Sequence, residues 1–283
     1  MILIVDGGST KADWIALDKN KKEIFRTTTL GINPSVLSKN EMTDNILSSQ
    51  ELLNIKNDVL QIHFYGAGCG TPKAAKNLQE VLETTFNNSK VFISEDTLGA
   101  VYASSGKKPS IVCILGTGSN SCYYDGKNIN TSAPSLGYSI MDEASGNYFG
   151  KILLRDFYYN KMPKKIASAF QDSFNLDTDL VKMNLYRKPN PNMYLASFAK
   201  FMFDYKDEKY IRKMIKKGFQ NFFYYRILPF KKDSKTPIYF IGSVAYYFRD
   251  ILEKVATKNN LTVTDVIQRP IDNLVEFHRN NSF

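Results

Sequence analysis

Apolar runs bounded by glycine and polar turns divide this chain into recognisable elements. Uninterrupted or alternating apolar segments predict strands at residues 2–5, 13–17, 23–28, 61–65, 91–93, 111–115 and 238–241. Apolar residues recurring at helical spacing predict helices at 41–53, 73–86, 97–104, 145–160, 163–172, 193–204, 207–228 and 244–256. Strands that come first as hairpins and later alternate with helices indicate mixed sheets in an α/β fold.

One pattern occurs twice. Leu3-Ile4-Val5-Asp6-Gly7-Gly8-Ser9-Thr10-Lys11 runs on into Trp14-Ile15-Ala16-Leu17, and Val112-Cys113-Ile114-Leu115-Gly116-Thr117-Gly118-Ser119 runs on into Cys122-Tyr123-Tyr124. Each is a buried strand, a glycine-rich turn carrying hydroxyls, and a returning strand. Glycines let backbone N–H groups approach an anion, and Ser or Thr adds hydroxyl donors to the same oxygens. Two such hairpins facing each other would hold one polyphosphate between two lobes; a plain tight turn is the simpler alternative for either alone. Neither has the spacing of a P-loop or of a dinucleotide-binding turn. The polar stretch Ser105-Gly106-Lys107-Lys108-Pro109 precedes the second copy and predicts a boundary near residue 110, giving lobes at 1–110 and 111–283. The long helical insertion after residue 144 obscures any further repeat, and the C-terminal segment is free to pack back on the first lobe.

Composition narrows the function classes. With 283 residues, 43% hydrophobic and 23% charged, the chain reads as a soluble globular protein of two ordinary domains. No apolar run approaches the ~18 residues of a membrane span, and the chain opens directly on a strand, so neither signal peptide nor anchor is expected. Cys69, Cys113 and Cys122 form no C-x-x-C pair, and His63 and His278 are the two histidines. Disulfide scaffolds and zinc sites are therefore not expected, and a reducing cytoplasm is. The net charge of +9 comes from lysines scattered in ones and twos, a solvated surface rather than a nucleic-acid stripe. The aromatics Phe198, Phe201, Tyr205, Tyr210, Phe219, Phe222 and Phe223 fit helical core spacing better than base stacking.

Further residues carry candidate chemistry. Ile238 to Ile241 meets the small-residue turn Gly242-Ser243-Val244-Ala245, where a nucleoside could lie against backbone or a helix could simply pack closely. Asp96 closes one strand and opens a helix, either as an N-cap or as a carboxylate able to accept a hydroxyl proton in phosphoryl transfer. Asp142 and Glu143 precede a helix among small residues, as dipole partners or as acceptors for sugar hydroxyls. Asn33 sits on the turn Gly31-Ile32-Asn33-Pro34.

Taken in order, Asp6 to Lys11, Gly31 to Pro34, Tyr65-Gly66-Ala67-Gly68-Cys69, Asp96 to Ala100, Leu115 to Ser121, Gly137 to Glu143 and Gly242 to Ala245 resemble the BadF/BadG/BcrA/BcrD-type ATPase family, in its N-acetylglucosamine kinase-like branch. The resemblance covers the whole chain. It implies the actin, hexokinase and Hsp70 fold: two ribonuclease H-like lobes around a central cleft for ATP, Mg²⁺ and sugar. It implies phosphate contacts at Gly7, Gly8, Ser9, Thr10 and Lys11 and at Gly116, Thr117, Gly118 and Ser119, with Asp6 near Mg²⁺, directly or through water. It implies Asp96 as base, Asn33, Ala67, Gly68, Gly137, Asp142 and Glu143 about the sugar, and Gly242 to Ala245 at the adenosine. The chain departs from the family pattern at Ala144, commonly Gly, and at Ala67, where the animal kinases place a serine; both positions bear on the acetamide pocket. The activity so implied is ATP-dependent phosphorylation of an N-acetylated amino sugar, N-acetylglucosamine or alternatively N-acetylmuramic acid, by a protein that pairs at most with a second copy of itself. The rival is an ATP-driven switch acting on a partner protein, as in the iron–sulfur energases of the same family.

Overall fold

The computed structural model describes residues 1–233 and 235–281. The chain divides into two compact units, Met1–Lys108 with Arg269–Phe283, and Pro109–Gln268.

The first unit is built on strands β1 (Ile2–Gly7), β2 (Lys11–Leu17), β3 (Glu23–Leu30), β4 (Gln61–Gly66) and β5 (Lys90–Glu95). They form one sheet in the order β3-β2-β1-β4-β5. The β1–β2 and β2–β3 pairs are antiparallel hairpins, while β4 and β5 run parallel to β1. Helices α1 (Lys39–Leu47), α2 (Gln50–Ile55), α3 (Pro72–Thr85) and α4 (Asp96–Ser104) connect the later strands, and a last helix, Ile271–Asn280, returns from the chain's end. Alternation along β1 feeds two cores: Leu3 and Val5 join Trp14, Phe64 and Phe86 on one face, and Ile4 joins Ile15, Leu274 and Val275 on the other. A sheet covered on both faces explains why β1 reads as a continuous apolar run.

The second unit repeats that plan. Strands β6 (Ser110–Leu115), β7 (Ser119–Tyr124), β8 (Ile129–Asn130), β9 (Ile238–Ile241) and β10 (Val263–Ile267) lie in the order β10-β9-β6-β7-β8. Read from β8, each strand occupies the place of its counterpart in the first sheet, so the repeat seen in the hairpins extends to both whole sheets. Between β8 and β9 lie α5 (Gly146–Tyr158), α6 (Lys164–Ser173), α7 (Thr178–Tyr186), α8 (Pro191–Ser197), α9 (Lys200–Asp204) and α10 (Lys209–Phe222). A π-turn at Phe223–Ile227 and a 3₁₀ turn at Leu228–Phe230 follow, ending the helix expected over 207–228 at Phe222. After β9 come α11 (Ser243–Tyr247) and α12 (Arg249–Lys258), and the helix at Ile271–Asn280 completes the series as α13. Phe198, Phe201, Phe219, Phe222 and Phe223 all lie in the core of this unit. Among the described residues no helix is long and apolar enough to cross a membrane.

Candidate active site

In the first unit, parallel register gathers the sequence-predicted residues at one edge. Gly7 at the end of β1 pairs with Gly66 at the end of β4, which pairs with Glu95 at the end of β5. The turn after β1, the Ala67-Gly68 segment after β4 and Asp96 at the start of α4 therefore leave the sheet side by side, where α/β sheets hold their ligands.

Backbone contacts hold the first hairpin. The Gly8 N–H donates to Lys11 O at 2.9 Å, Gly31 N–H to Thr10 O at 3.1 Å, Ile32 N–H to Gly8 O at 3.2 Å, and Ala67 N–H to Gly7 O at 2.8 Å. Asn33 lies against the same turn: its Nδ2 donates to Ser9 Oγ at 2.8 Å and its Oδ1 accepts from Ser35 N at 2.9 Å. Ser35 Oγ donates in turn to the Gly68 carbonyl at 2.8 Å. Gly68 has φ +81°, and a β-carbon there would stand 1.9 Å from Asn33 Oδ1. Asn33, Ser9 and Gly68 thus form one network, although 35 positions separate Asn33 from Gly68 in the chain (33 to 68).

Three carboxylates meet on this edge. Asp6 on β1 is half-buried, and desolvation, then the charges of Asp13 and Asp96, push its carboxyl up to about 7 against the opposing Lys11 and Arg269. Asp13 is buried, which alone would raise its pKa. Hydrogen bonds from Lys11 Nζ (2.7 Å) and Thr28 Oγ1 (2.8 Å), with the charges of Lys11 and Arg269, overcome this and hold it below its ordinary value. The Arg269 guanidinium donates to Asp13 Oδ1 at 3.0 Å. Lys11 and Asp13 share a face of β2 by the period-two rule, so the lysine expected at phosphate is engaged with a neighbouring acid.

Sequence reasoning missed Asp13 and Arg269. The first has only its two-residue spacing from Lys11 as a signal. The second stands 256 positions from its partner and reaches it because α13 docks on this unit through Ile271, Leu274 and Val275 and through Asn273 Nδ2 on the Ala103 carbonyl (2.8 Å).

Asp96 is the first residue of α4, and the N-cap position falls on Glu95, whose side chain makes no cap hydrogen bond. The capping alternative for Asp96 therefore belongs to the residue before it. Asp6, with the charge of Asp96 acting on it, fits a hard cation that one or two carboxylates would hold together with phosphate oxygens and water, whereas Asp13 is taken up by Lys11, Thr28 and Arg269. Among the described residues no three Asp, Glu, His or Cys side chains form a complete metal cage.

The second unit carries the other hairpin. Gly116 N–H donates to Gly118 O at 3.0 Å, closing the turn, and the first turn of α5 donates back to it: Gly146 N–H to Gly116 O at 2.8 Å and Asn147 N–H to Thr117 O at 3.0 Å. Asp142 is buried beneath, accepting from Ser119 N at 3.3 Å and from Asn147 Nδ2 at 2.8 Å. Ser119 Oγ is buried with no hydrogen bond among the described residues. A buried hydroxyl on a glycine turn fits a phosphate oxygen, since an unmet polar group of this kind costs ~1–3 kcal/mol.

Asp142 and Ala144 both adopt left-handed backbone, at φ +70° and +59°, which turns Glu143 away from the Asp142 network and into a cavity lined also by Tyr148. The two acids grouped in the sequence thus part company. Gly137 starts the turn that Met141 N–H closes on its carbonyl at 2.9 Å. Gly242, at the end of β9, donates its N–H to Ile267 O at 2.9 Å and lies beside Leu115 at the end of β6, so the Gly242-Ser243-Val244-Ala245 segment adjoins the second hairpin. Cys113 and Cys122 are fully buried in this unit, and burial pushes the Cys113 thiol well above its ordinary value.

Comparison with solved structures finds a Porphyromonas gingivalis protein, provisionally named N-acetylglucosamine kinase, at 36% identity and TM-score 0.90 over 99% of both chains. The chain belongs to this N-acetylglucosamine kinase-like family of sugar kinases. A similarly named Chromobacterium violaceum protein aligns at 14% identity, TM-score 0.74 and 98% of both chains. A Streptomyces griseus glucokinase of the ROK family, solved with glucose and AMPPNP, aligns at 13% identity and TM-score 0.58 over 99% of this chain and 100% of its own. These two show the shared actin-like fold. No family model matches the kinase, and no curated protein does.

Proposed function

We propose that this kinase transfers the γ-phosphoryl group of ATP to the 6-hydroxyl of an N-acetylated amino sugar, N-acetylglucosamine foremost, as a BadF/BadG/BcrA/BcrD-type member of its superfamily. The observation that carries this reading is the common edge of β1, β4 and β5, where a glycine hairpin, the Asn33–Gly68 network and Asp96 come together. The 36% identical relative and its name support it.

In this reading the two glycine hairpins receive phosphate oxygens on backbone N–H groups, with the Ser119 hydroxyl as a further donor. Asn33 and Gly68 bound the sugar side, and Asp142 holds the second hairpin in shape. Asp96 accepts the proton of the 6-hydroxyl as the sugar oxygen attacks the γ-phosphorus and ADP leaves. Mg²⁺ would be held by Asp6, directly or through water, with Asp96 close by, and would neutralise charge on the phosphoryl oxygens. Gly242 to Ala245 would meet the adenosine.

An ADP-release assay over N-acetylglucosamine, N-acetylmuramic acid, glucosamine and glucose tests the proposal. Slow release with Mg²⁺-ATP alone and much faster release with N-acetylglucosamine is expected. A rate indifferent to every sugar would instead favour the ATPase switch.

A further inference from the structure

A cavity of about 580 Å³ opens between α5 and α10, wholly within the second unit. Small-molecule sites occupy ~300–1,000 Å³, so it is of ligand size. Met214 contributes apolar wall, and the remaining lining is rich in cations: Lys151, Arg155, Lys161, Lys213 and Lys217, against Glu143 and Asp156.

Asp156 is already engaged, by Arg155 at 3.2 Å and by the Tyr210 hydroxyl at 2.9 Å. Lys161, Lys213 and Lys217 have no ion pair among the described residues, leaving Glu143 as the one acid of the lining not so engaged. Lys213 and Lys217 stand one turn apart on the same side of α10, an arrangement that destabilises a helix by like-charge repulsion unless an anion lies across it. Neutral hydrogen-bonding groups line the same space. Asn221 Nδ2 donates to the Tyr148 hydroxyl at 3.1 Å, which keeps its own proton available to a ligand.

We propose that this cavity binds a phosphate monoester. Three unpaired ammonium groups match a dianion better than a single carboxylate, and Tyr148, Asn221 and Glu143 offer partners for the hydroxyls of the esterified sugar. Neither glycine hairpin nor the Gly242–Ala245 segment lines the cavity, and of the residues expected about the sugar Glu143 does while Asn33, Ala67, Gly68, Gly137 and Asp142 do not, so it is a second site rather than the nucleotide's or the Asn33–Gly68 network's. It also adjoins the second hairpin through the chain, because Tyr148 follows Gly146 and Asn147, whose N–H groups hold the Gly116–Thr117 carbonyls. An occupant would therefore bear on the support of that turn. The ester could be the kinase's own product or another hexose phosphate, and the two are separable by experiment.

Calorimetry on the full chain, saturated with AMPPNP and Mg²⁺, would use N-acetylglucosamine 6-phosphate, glucose 6-phosphate and N-acetylmuramic acid as probes. Expected is saturable binding of at least one phosphate ester, weakened about tenfold or more in Lys213→Gln/Lys217→Gln, because hydrogen bonds to charged groups are the strong ones. Lys216→Gln, an exposed neighbour outside the cavity, is expected to leave it unchanged. Preference for N-acetylglucosamine 6-phosphate would identify feedback by product, and equal binding a general hexose phosphate. Absence of ester binding, or an equal loss in Lys216→Gln, would overturn the proposal, and so would N-acetylmuramic acid binding that Lys213→Gln/Lys217→Gln weakens more than it weakens ester binding. The glucose 6-phosphate arm does not depend on the sugar substrate proposed above, so the two readings fail separately.

Discussion

The backbone N–H of Ser119 donates to Asp142 Oδ1 at 3.3 Å, and a β-carbon on the preceding Gly118 would stand 2.9 Å from the other oxygen of the same carboxylate. The glycine of the second hairpin is therefore matched to an acid 24 positions later (118 to 142) and not merely to the needs of a turn. Gly118→Val would push Asp142 aside and block approach to the turn's N–H groups. We expect a folded protein by circular dichroism whose affinity for AMPPNP, measured by calorimetry, falls about tenfold or more, since hydrogen bonds to charged groups each contribute ~1.5–3 kcal/mol. Unchanged affinity in a folded variant would show the turn to be structural only.

Asp96→Asn separates chemistry from helix capping. Because the cap position belongs to Glu95, the substitution should leave the melting temperature close to the parent's. Loss of a general base removes about 10²–10⁴ in rate. Turnover should fall at least about a hundredfold while sugar and AMPPNP binding persist by calorimetry. Turnover within a few-fold of the parent would remove Asp96 from the base's role.

Gly68→Ala places a methyl group on the Asn33 amide and a side chain at φ +81°. Left-handed backbone alone costs ~1–2 kcal/mol for an L-residue. We expect a modest loss of thermal stability together with a raised KM for the sugar and little change in the KM for ATP. Equal effects on both substrates would place the Asn33–Gly68 network outside the sugar's reach.

The Asp6 carboxyl, raised from 3.8 to about 7, makes stability depend on pH with a definite sign. Between those values the folded protein holds a proton that the unfolded chain has released, so stability falls as pH rises through the window. In metal-free buffer, Asp6→Asn should melt close to the parent near pH 4 and increasingly above it toward pH 8. Added Mg²⁺ should raise the parent's melting temperature more at pH 8 than at pH 5 and do little for the variant. A parent–variant difference that does not change with pH would mean that Asp6 titrates normally.

Local chemistry alone determined much of this protein. Apolar strands broken by Gly7-Gly8-Ser9 and Gly116-Thr117-Gly118 must turn back on themselves, because a run of small residues and hydroxyls cannot continue a buried strand, and so both hairpins and the α/β class were legible. The ordered motifs from Asp6 to Ala245 carried the family resemblance, and the 36% identical relative now supports kinship with sugar kinases. Shorter or less apolar elements escaped. Strand β10 has a weak local pattern and pairs with β9, whereas α13 carries Ile271, Leu274, Val275 and His278 at helical spacing and was missed all the same; what the sequence could not show is that this face packs on the first sheet. The helix expected over 207–228 stopped at Phe222, where packing of Phe222 and Phe223 against Phe240 takes over from propensity. Charge placement lay furthest from the sequence's reach. Asp13 meeting Arg269, Glu143 parting from Asp142, and three unpaired lysines sharing a cavity all depend on contacts between distant segments or on left-handed backbone at two non-glycine residues. Hydrophobic periodicity is a property of neighbours along the chain, whereas the electrostatics of a site is set by whatever the fold brings within a few ångströms.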